Sequence, residues 1–173
     1  NQENIEELEE LRIELLKDKD IYNEIIEGNN EKSLTYLQNR GDKFQLIYAD
    51  PPYHTGKNFI YSDKLGNSKD HNEWLSFMEV RLAKAKEILT DDGVIFISID
   101  DKEQAYLKIL CDKIFGEDNF INTIIWKKGG GKSDSNFLAN KKEYCHVYQK
   151  GKLKGFTKQE SPLTNYKFRD DKG

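Results

Sequence analysis

Apolar runs alternate with amphipathic stretches along most of the chain, and this alternation predicts an α/β protein. Residues 44–49 form a short, nearly continuous apolar run that contains β-branched and aromatic residues and that two prolines then stop. This pattern is typical of a parallel strand covered on both faces. We therefore expect residues 44–49 to form a central strand.

Four other segments show strand patterns on either side of this run. Residues 21–27, 93–99 and 120–126 predict strands, and residues 143–149 predict an antiparallel edge strand. Because helical patterns separate the first three from one another, we expect a doubly wound, mainly parallel sheet with an antiparallel edge strand.

Helix signals lie between the predicted strands. Residues 31–39 predict a short helix, and a capping pattern at residues 70–73 begins a second helix, which residues 91–93 should end. Asp101 should cap a third helix, which Gly116 closes. The residues expected to face the core are Leu34, Leu37, Trp74, Met78, Leu82, Ala85, Leu89, Leu107, Leu110, Cys111 and Ile114.

The first residues of the chain predict a separate element. Ile5, Leu8, Leu11 and Leu15 recur every three or four positions among glutamates, which predicts an amphipathic helix. We accordingly divide the chain into an amino-terminal helix over residues 1–20, a main domain over 21–150, and a linker or the start of a recognition segment over 151–173.

Size and composition limit the class of protein. The 173 residues suit one domain with a real core, and the hydrophobic fraction of 36% against a charged fraction of 34% suits a polar, folded protein. No apolar run approaches membrane-spanning length, so we expect a cytoplasmic protein without a membrane partner. Cys111 and Cys145 lie far apart without the spacing of metal ligands, so we expect free thiols and no metal.

The charge of the chain is unevenly distributed. Residues 1–30 contain 3 basic and 10 acidic residues, whereas residues 127–173 contain 12 basic and 5 acidic residues interleaved with aromatic ones. Such a basic, aromatic composition is typical of proteins that follow a phosphate backbone, although a solvated lysine-rich surface explains any single lysine equally well.

Asp50-Pro51-Pro52-Tyr53 follows the predicted strand at residues 44–49. Prolines cannot donate to a sheet ladder, so Asp50 should lie at the carboxyl edge of the sheet, where open α/β sheets bind ligands. A carboxylate and a proline carbonyl can both accept hydrogen bonds from one exocyclic amine, and a tyrosine ring can stack on the base that carries it. A merely rigid turn is the alternative.

This tetrapeptide resembles the catalytic motif of amino-methylating DNA methyltransferases. Together with residues 56–61 and 98–101, it closely resembles the modification subunit of type III restriction-modification systems. The resemblance implies a Rossmann-like methyltransferase fold, S-adenosylmethionine as methyl donor, and methylation of N6 of adenine in DNA. It leaves open methylation of N4 of cytosine, or an inactive truncated subunit that binds DNA or protein.

The same resemblance assigns roles to individual residues. Asp50 and the Pro51 carbonyl would bind the amine, Pro52 would complete the rigid turn, and Tyr53 would stack on the extruded base. Asn29, in a turn after a strand, would contact the cofactor together with Asp50; asparagine as a plain turn former is equally consistent.

The resemblance covers roughly residues 20–150, and the glycine-rich cofactor turn of the family is absent. We therefore expect the catalytic half of a methyltransferase domain. The expected partners are DNA, a restriction subunit and a second modification subunit.

The expected DNA contacts are lysines and one tryptophan. Lysines in the loop after Tyr53 and in the basic carboxyl third should lie near phosphates, and Trp126 would be a second stacking surface for the base, although core packing is its favoured role. These residues are Lys57, Lys64, Trp126, Lys127, Lys128 and Lys132.

Overall fold

The computed structural model describes residues 12–18, 21–53, 71–128 and 141–156. No helix in these ranges is long and apolar enough to cross a membrane. The strands are β1 (Arg12–Asp18), β2 (Ile21–Glu27), β3 (Phe44–Ala49), β4 (Leu89–Ile99), β5 (Phe120–Lys127) and β6 (Lys142–Gln149), and the helices are α1 (Asn30–Arg40), α2 (His71–Ile88) and α3 (Gln104–Phe115), followed by a short 3-10 turn (Glu117–Asn119).

Four strands form a mixed sheet in the order β3, β4, β6, β5. β3 and β4 are parallel, with Ile47 beside Ile95 and Ala49 beside Ile97, and the β4–β6 and β6–β5 pairs are antiparallel. The α/β class is confirmed, and the described sheet is mixed, with one parallel and two antiparallel pairs of strands.

The hydrophobic core lies between the sheet and helices α2 and α3. Ile95, Ile97 and Ile99 alternate along β4 and are fully buried, so they share one face of the sheet. They pack against the predicted stripe of α2 and against α3, so that both helices cover this one face. The core cluster consists of Trp74, Met78, Leu82, Ala85, Leu89, Ile95, Ile97, Ile99, Leu107, Leu110, Cys111, Phe115 and Tyr148.

β3 differs from its prediction as a central strand covered on both faces. In the described residues it is an outer strand that pairs with β4 alone. Ile47 and Ala49 pack against the core, whereas Leu46 is 57% exposed and Tyr48 is 63% exposed. An apolar run indicates burial on two faces, and the described residues cover only one face of β3.

β6 also occupies a different position from the one predicted. It runs antiparallel as expected, but it lies inside the sheet between β4 and β5, and β5 is the outer strand. The burial of Val147 and Tyr148 follows from this interior position. Sequence patterns indicate the position of a strand within a sheet poorly when the order of strands in the sheet departs from their order in the chain.

The amino-terminal helix prediction is wrong for residues 12–18. This segment is β1, which forms an antiparallel hairpin with β2, with Arg12 opposite Glu27 and Asp18 opposite Ile21. β2 has the predicted bounds but pairs with β1 rather than with the four-stranded sheet. The backbone groups of β2 need partners, and the preceding segment supplies them. The other residues of the predicted helix, 1–11 and 19–20, lie outside the described ranges.

Two element ends also differ from their predictions. Strand β4 begins at Leu89, so residues 91–93 lie within a strand instead of ending a helix. Before α3, the Asp100 carboxylate accepts hydrogen bonds from the backbone N–H groups of Lys102 at 3.0 Å and Glu103 at 3.4 Å, in place of the predicted Asp101 cap.

Two buried polar side chains connect β6 to α3. His146 Nε2 donates to the Gln104 carbonyl at 2.9 Å, which leaves Nδ1 to accept from the Thr123 hydroxyl at 2.9 Å. The Tyr148 hydroxyl donates to Asp112 Oδ1 at 2.7 Å. Both bonds satisfy groups that burial would otherwise penalise, so they fix α3 over the sheet.

We expect Leu107→Ala to lower the free energy of unfolding of the chain by about 2–5 kcal/mol, because it leaves a cavity in the core. Ile109 on the same helix is 69% exposed, so Ile109→Ala should change this free energy by less than about 0.5 kcal/mol. Urea denaturation measures both values. Equal effects would contradict the position of α3.

A pH dependence follows from His146. Burial lowers the pKa of His146 from its ordinary value of 6.5, so below that pH the unfolded chain binds a proton that the folded chain resists. The unfolded state then holds more protons, and stability falls as pH drops below about 6.5. Urea denaturation between pH 7 and pH 5 should show a smaller loss in His146→Gln than in the unsubstituted chain; identical pH dependence would contradict a neutral, buried His146.

Candidate active site

The predicted catalytic residues lie at the carboxyl edge of the parallel strands. Asp50 follows the last residue of β3, and Asp100 follows the last residue of β4. Parallel strands end at the same edge, so the two turns lie side by side. The Asp50 side chain is exposed there, while Pro51 and Pro52 are half-buried. The turn therefore presents its carboxylate outward from a partly buried backbone.

The backbone of this turn contains acceptors but few donors. Pro51 and Pro52 have no N–H groups, so their carbonyls are the polar atoms that they contribute. The Pro52 carbonyl accepts a hydrogen bond from Trp74 Nε1 at 2.9 Å. Trp74 is buried on the first turns of α2, and its N–H was not singled out by the sequence pattern, which identified only its place in an apolar stripe.

Tyr53 contacts both the hydrophobic core and Asp50. Its ring is half-buried against the hydrophobic core. The pKa of Tyr53 is raised well above its usual value, first by burial and then by the Asp50 carboxylate, through charge and a side-chain hydrogen bond, with Glu143 contributing further. The phenol is therefore neutral across the physiological range and is hydrogen-bonded to the Asp50 carboxylate.

His71, Glu103 and Tyr106 form a second cluster at the start of α2. Glu103 is fully buried, and its Oε2 lies 2.9 Å from Nδ1 of His71. The His71 ring stacks on Tyr106 with centroids 4.4 Å apart. The first turn of α2 is thus tied to the loop after β4. Sequence reasoning missed this cluster, because its members are distant along the chain and belong to no recognised motif.

The adjoining ends of β5 and β6 carry charged residues. The Tyr144 hydroxyl donates to Asp101 Oδ1 at 2.5 Å, and Lys142 Nζ lies 3.5 Å from the same oxygen. Lys128 forms an ion pair with Glu143. Each of these two lysines is therefore paired with an acidic residue at this edge of the sheet.

Trp126 is 69% exposed, so the expected core packing is wrong for this residue. It lies near the carboxyl end of the outer strand β5, three strand spacings or roughly 14 Å from β3 across the sheet. This separation is too large for Trp126 and Tyr53 to sandwich one base in the geometry described.

The structure locates only part of the predicted DNA contacts. Lys127 and Lys128 are exposed at the end of β5 and beyond it. Lys57, Lys64 and Lys132 lie outside the described residues.

Asn29 acts locally in the described structure. Its Oδ1 accepts a hydrogen bond from the backbone N–H of Glu31 at 2.9 Å, which caps α1. The strand before it, β2, is not adjacent to β3. The described residues thus supply hydrogen-bond acceptors for an amine. They do not form a pocket for a methyl donor around Asn29.

The relatives of this sequence include a type III restriction-modification subunit and a type II methyltransferase. The chain is 48% identical over 141 residues to the "Probable type III restriction-modification enzyme HindVI Mod subunit" of Haemophilus influenzae, covering 78% of this chain and 18% of that protein. It is 43% identical over 144 residues to the type II methyltransferase M.KpnI of Klebsiella pneumoniae, covering 78% and 34% respectively. The matches thus span 18% and 34% of the length of these two relatives.

The fold is similar to that of a solved structure, the M1.HpyAVI–SAM complex. The TM-score is 0.52 at 16% sequence identity, and the match covers 78% of this chain and 58% of that one. This likeness confirms the methyltransferase fold. Residues 44–172, which include Asp50–Tyr53 and Trp74, match the family model N6_N4_Mtase, described as DNA methylase. The chain therefore belongs to this DNA methylase family.

Proposed function

We propose that this chain provides the catalytic turn of a DNA methyltransferase that transfers a methyl group from S-adenosylmethionine to N6 of adenine, as part of a type III modification subunit. The observation that carries the proposal is the position of Asp50-Pro51-Pro52-Tyr53 at the carboxyl edge of β3, with the Asp50 side chain exposed. The similarity to a type III modification subunit supports the class of enzyme.

Two acceptors of the turn match the two hydrogens of an exocyclic amine. The Asp50 carboxylate accepts one hydrogen bond, and the Pro51 carbonyl accepts the other. This pairing draws the nitrogen lone pair out of conjugation with the ring and directs it away from the turn. These two hydrogen bonds hold the amine as the nucleophile in a fixed direction. When bound, S-adenosylmethionine would supply the electrophilic methyl group, which it carries on a sulfonium centre.

Tyr53 receives the base that carries this amine. An adenine inside a duplex cannot reach the turn, so it must be extruded, at a cost of a few kcal/mol. Stacking on the Tyr53 ring offsets part of this cost, since a base stacked on an aromatic side chain gains about 1–3 kcal/mol. The neutral state of the phenol suits this role, because no charge on the ring opposes the approach of DNA.

The donor requires residues beyond those assembled here. Asn29 remains a proposed cofactor contact, together with Asp50, but its amide already caps α1. The exposed face of β3, with Leu46 and Tyr48, is an apolar surface beside the turn that further parts of the methyltransferase domain would cover. We infer that the donor site is completed there.

DNA is the proposed partner at the lysine-bearing ends of β5 and β6. Lys127 and Lys128 are positioned to approach phosphates, with Lys57, Lys64 and Lys132 as further proposed contacts and exposed Trp126 as an aromatic contact to DNA. A restriction subunit and a second modification subunit are the proposed protein partners, and a DNA substrate of the cell implies a cytoplasmic location.

Asp50→Ala should abolish methylation by the complete methyltransferase while leaving DNA affinity nearly unchanged, because it removes an acceptor for the amine without touching phosphate contacts. Incorporation of labelled methyl groups and a DNA-binding titration measure the two properties. Asp91 lies at the opposite end of β4 with a fully exposed side chain, so Asp91→Ala is the matched control and should retain activity. Joint loss of methylation and DNA binding in Asp50→Ala would show that Asp50 is structural.

The isolated chain should bind S-adenosylmethionine very weakly and transfer no measurable methyl group, because the described residues do not form a donor pocket. Isothermal titration calorimetry measures this binding. Micromolar affinity for the isolated chain would show that the donor site is built from residues assigned here to other roles.

A further inference from the structure

A buried tryptophan contacts the backbone of the catalytic turn. Trp74 on α2 is 2% exposed, and its Nε1–H donates to the Pro52 carbonyl at 2.9 Å. We propose that Trp74 is a positioning residue that fixes Tyr53 for stacking on the extruded base. This inference rests on the proposed function, and it adds a residue that acts on the site without touching the substrate.

Backbone torsions explain why one hydrogen bond has this effect. The pyrrolidine rings hold φ of Pro51 and Pro52 at about −65°. Pro52 also restricts ψ of Pro51 to extended values. The torsion that no ring restricts is ψ of Pro52, and it orients the planar peptide group that joins Pro52 to Tyr53. A bond that holds the Pro52 carbonyl therefore also holds the start of Tyr53.

Trp74 is itself held in place from two sides. Its ring is part of the hydrophobic core, so it cannot change rotamer without opening a cavity. One turn earlier, His71 is bonded to buried Glu103 at 2.9 Å and stacked on Tyr106, which ties the start of α2 to the loop after β4. A positioning group must be rigid relative to what it positions, and Trp74 meets this condition.

Tyr53 lies beyond the end of the β3 ladder. The last residue of β3 is Ala49, four residues earlier, so strand pairing does not hold the backbone of Tyr53. Its ring is half-buried against the core, which positions one side of the side chain. The Trp74 bond supplies the matching restraint on the main chain.

The decisive experiment removes the indole N–H and keeps the shape. In the complete methyltransferase, Trp74 is replaced site-specifically by 3-benzothienylalanine, in which sulfur takes the place of N–H. The fluorescence of 2-aminopurine at the target position reports base extrusion. We expect extrusion and kcat to fall roughly three- to tenfold, as for the loss of one hydrogen bond, and DNA affinity to change little. Unchanged extrusion and kcat would overturn the inference, whatever the effect on the unfolding midpoint.

Trp74→Phe repeats the test with a natural residue that also lacks the N–H, and it should lower kcat at least as much. Met78→Leu, one turn further along the same buried stripe, is the control for a change in packing without a polar group, and it should leave kcat unchanged. An equal fall in kcat for Met78→Leu would overturn the positioning role. An unsubstituted enzyme that neither extrudes nor methylates the base would overturn the proposed function instead.

Discussion

Ile47 and Ala49 of β3 lie beside Ile95 and Ile97 of β4, and this parallel pairing aligns the carboxyl ends of the two strands. The connection between the strands includes α2, whose apolar stripe covers the face that they share. Burial of this face fixes the register, because a shift of one residue would turn the core residues outward. The position of Asp50 beside the turn after β4 depends on that register.

The chemistry of the site follows from what the turn lacks as much as from what it contains. Two successive prolines remove backbone donors, so an amine approaching the turn meets carbonyl and carboxylate oxygens. Proline rings also remove most torsional freedom, so these acceptors require little ordering when a substrate binds. The Trp74 contact to Pro52 and the half-buried ring of Tyr53 extend the same rigidity towards the base.

The sequence predicts the parts of this account that depend on local pattern. The bounds of β2 and β3, the buried stripe of α2 and the Asp50–Tyr53 motif are all visible in the order of residues. Features that depend on distant contacts are not visible in this way. Residues 12–18 are expected to be helical because Leu15 continues the spacing of Leu8 and Leu11, but they pair with β2 as a strand. The hydrogen bonds of buried His146 and Trp74 cannot be predicted from the sequence either, because their partners are distant along the chain.

The outer position of β3 has the same origin. Its apolar residues predict cover on two faces, and the described residues cover only one, which leaves Leu46 and Tyr48 exposed beside the catalytic turn. The apolar pattern of β3 thus predicts a second covered face, and the described elements do not cover it. This links the fold to the proposal that further parts of a methyltransferase domain complete the site.

The most direct test of the central claim is to identify the base that is modified. DNA from cells that express the complete methyltransferase is digested to nucleosides, separated by chromatography and analysed by mass spectrometry, with DNA from cells lacking the enzyme as reference. We expect N6-methyladenine that depends on the enzyme. N4-methylcytosine in its place, or no modified base from an enzyme that is folded and binds DNA, would contradict this claim.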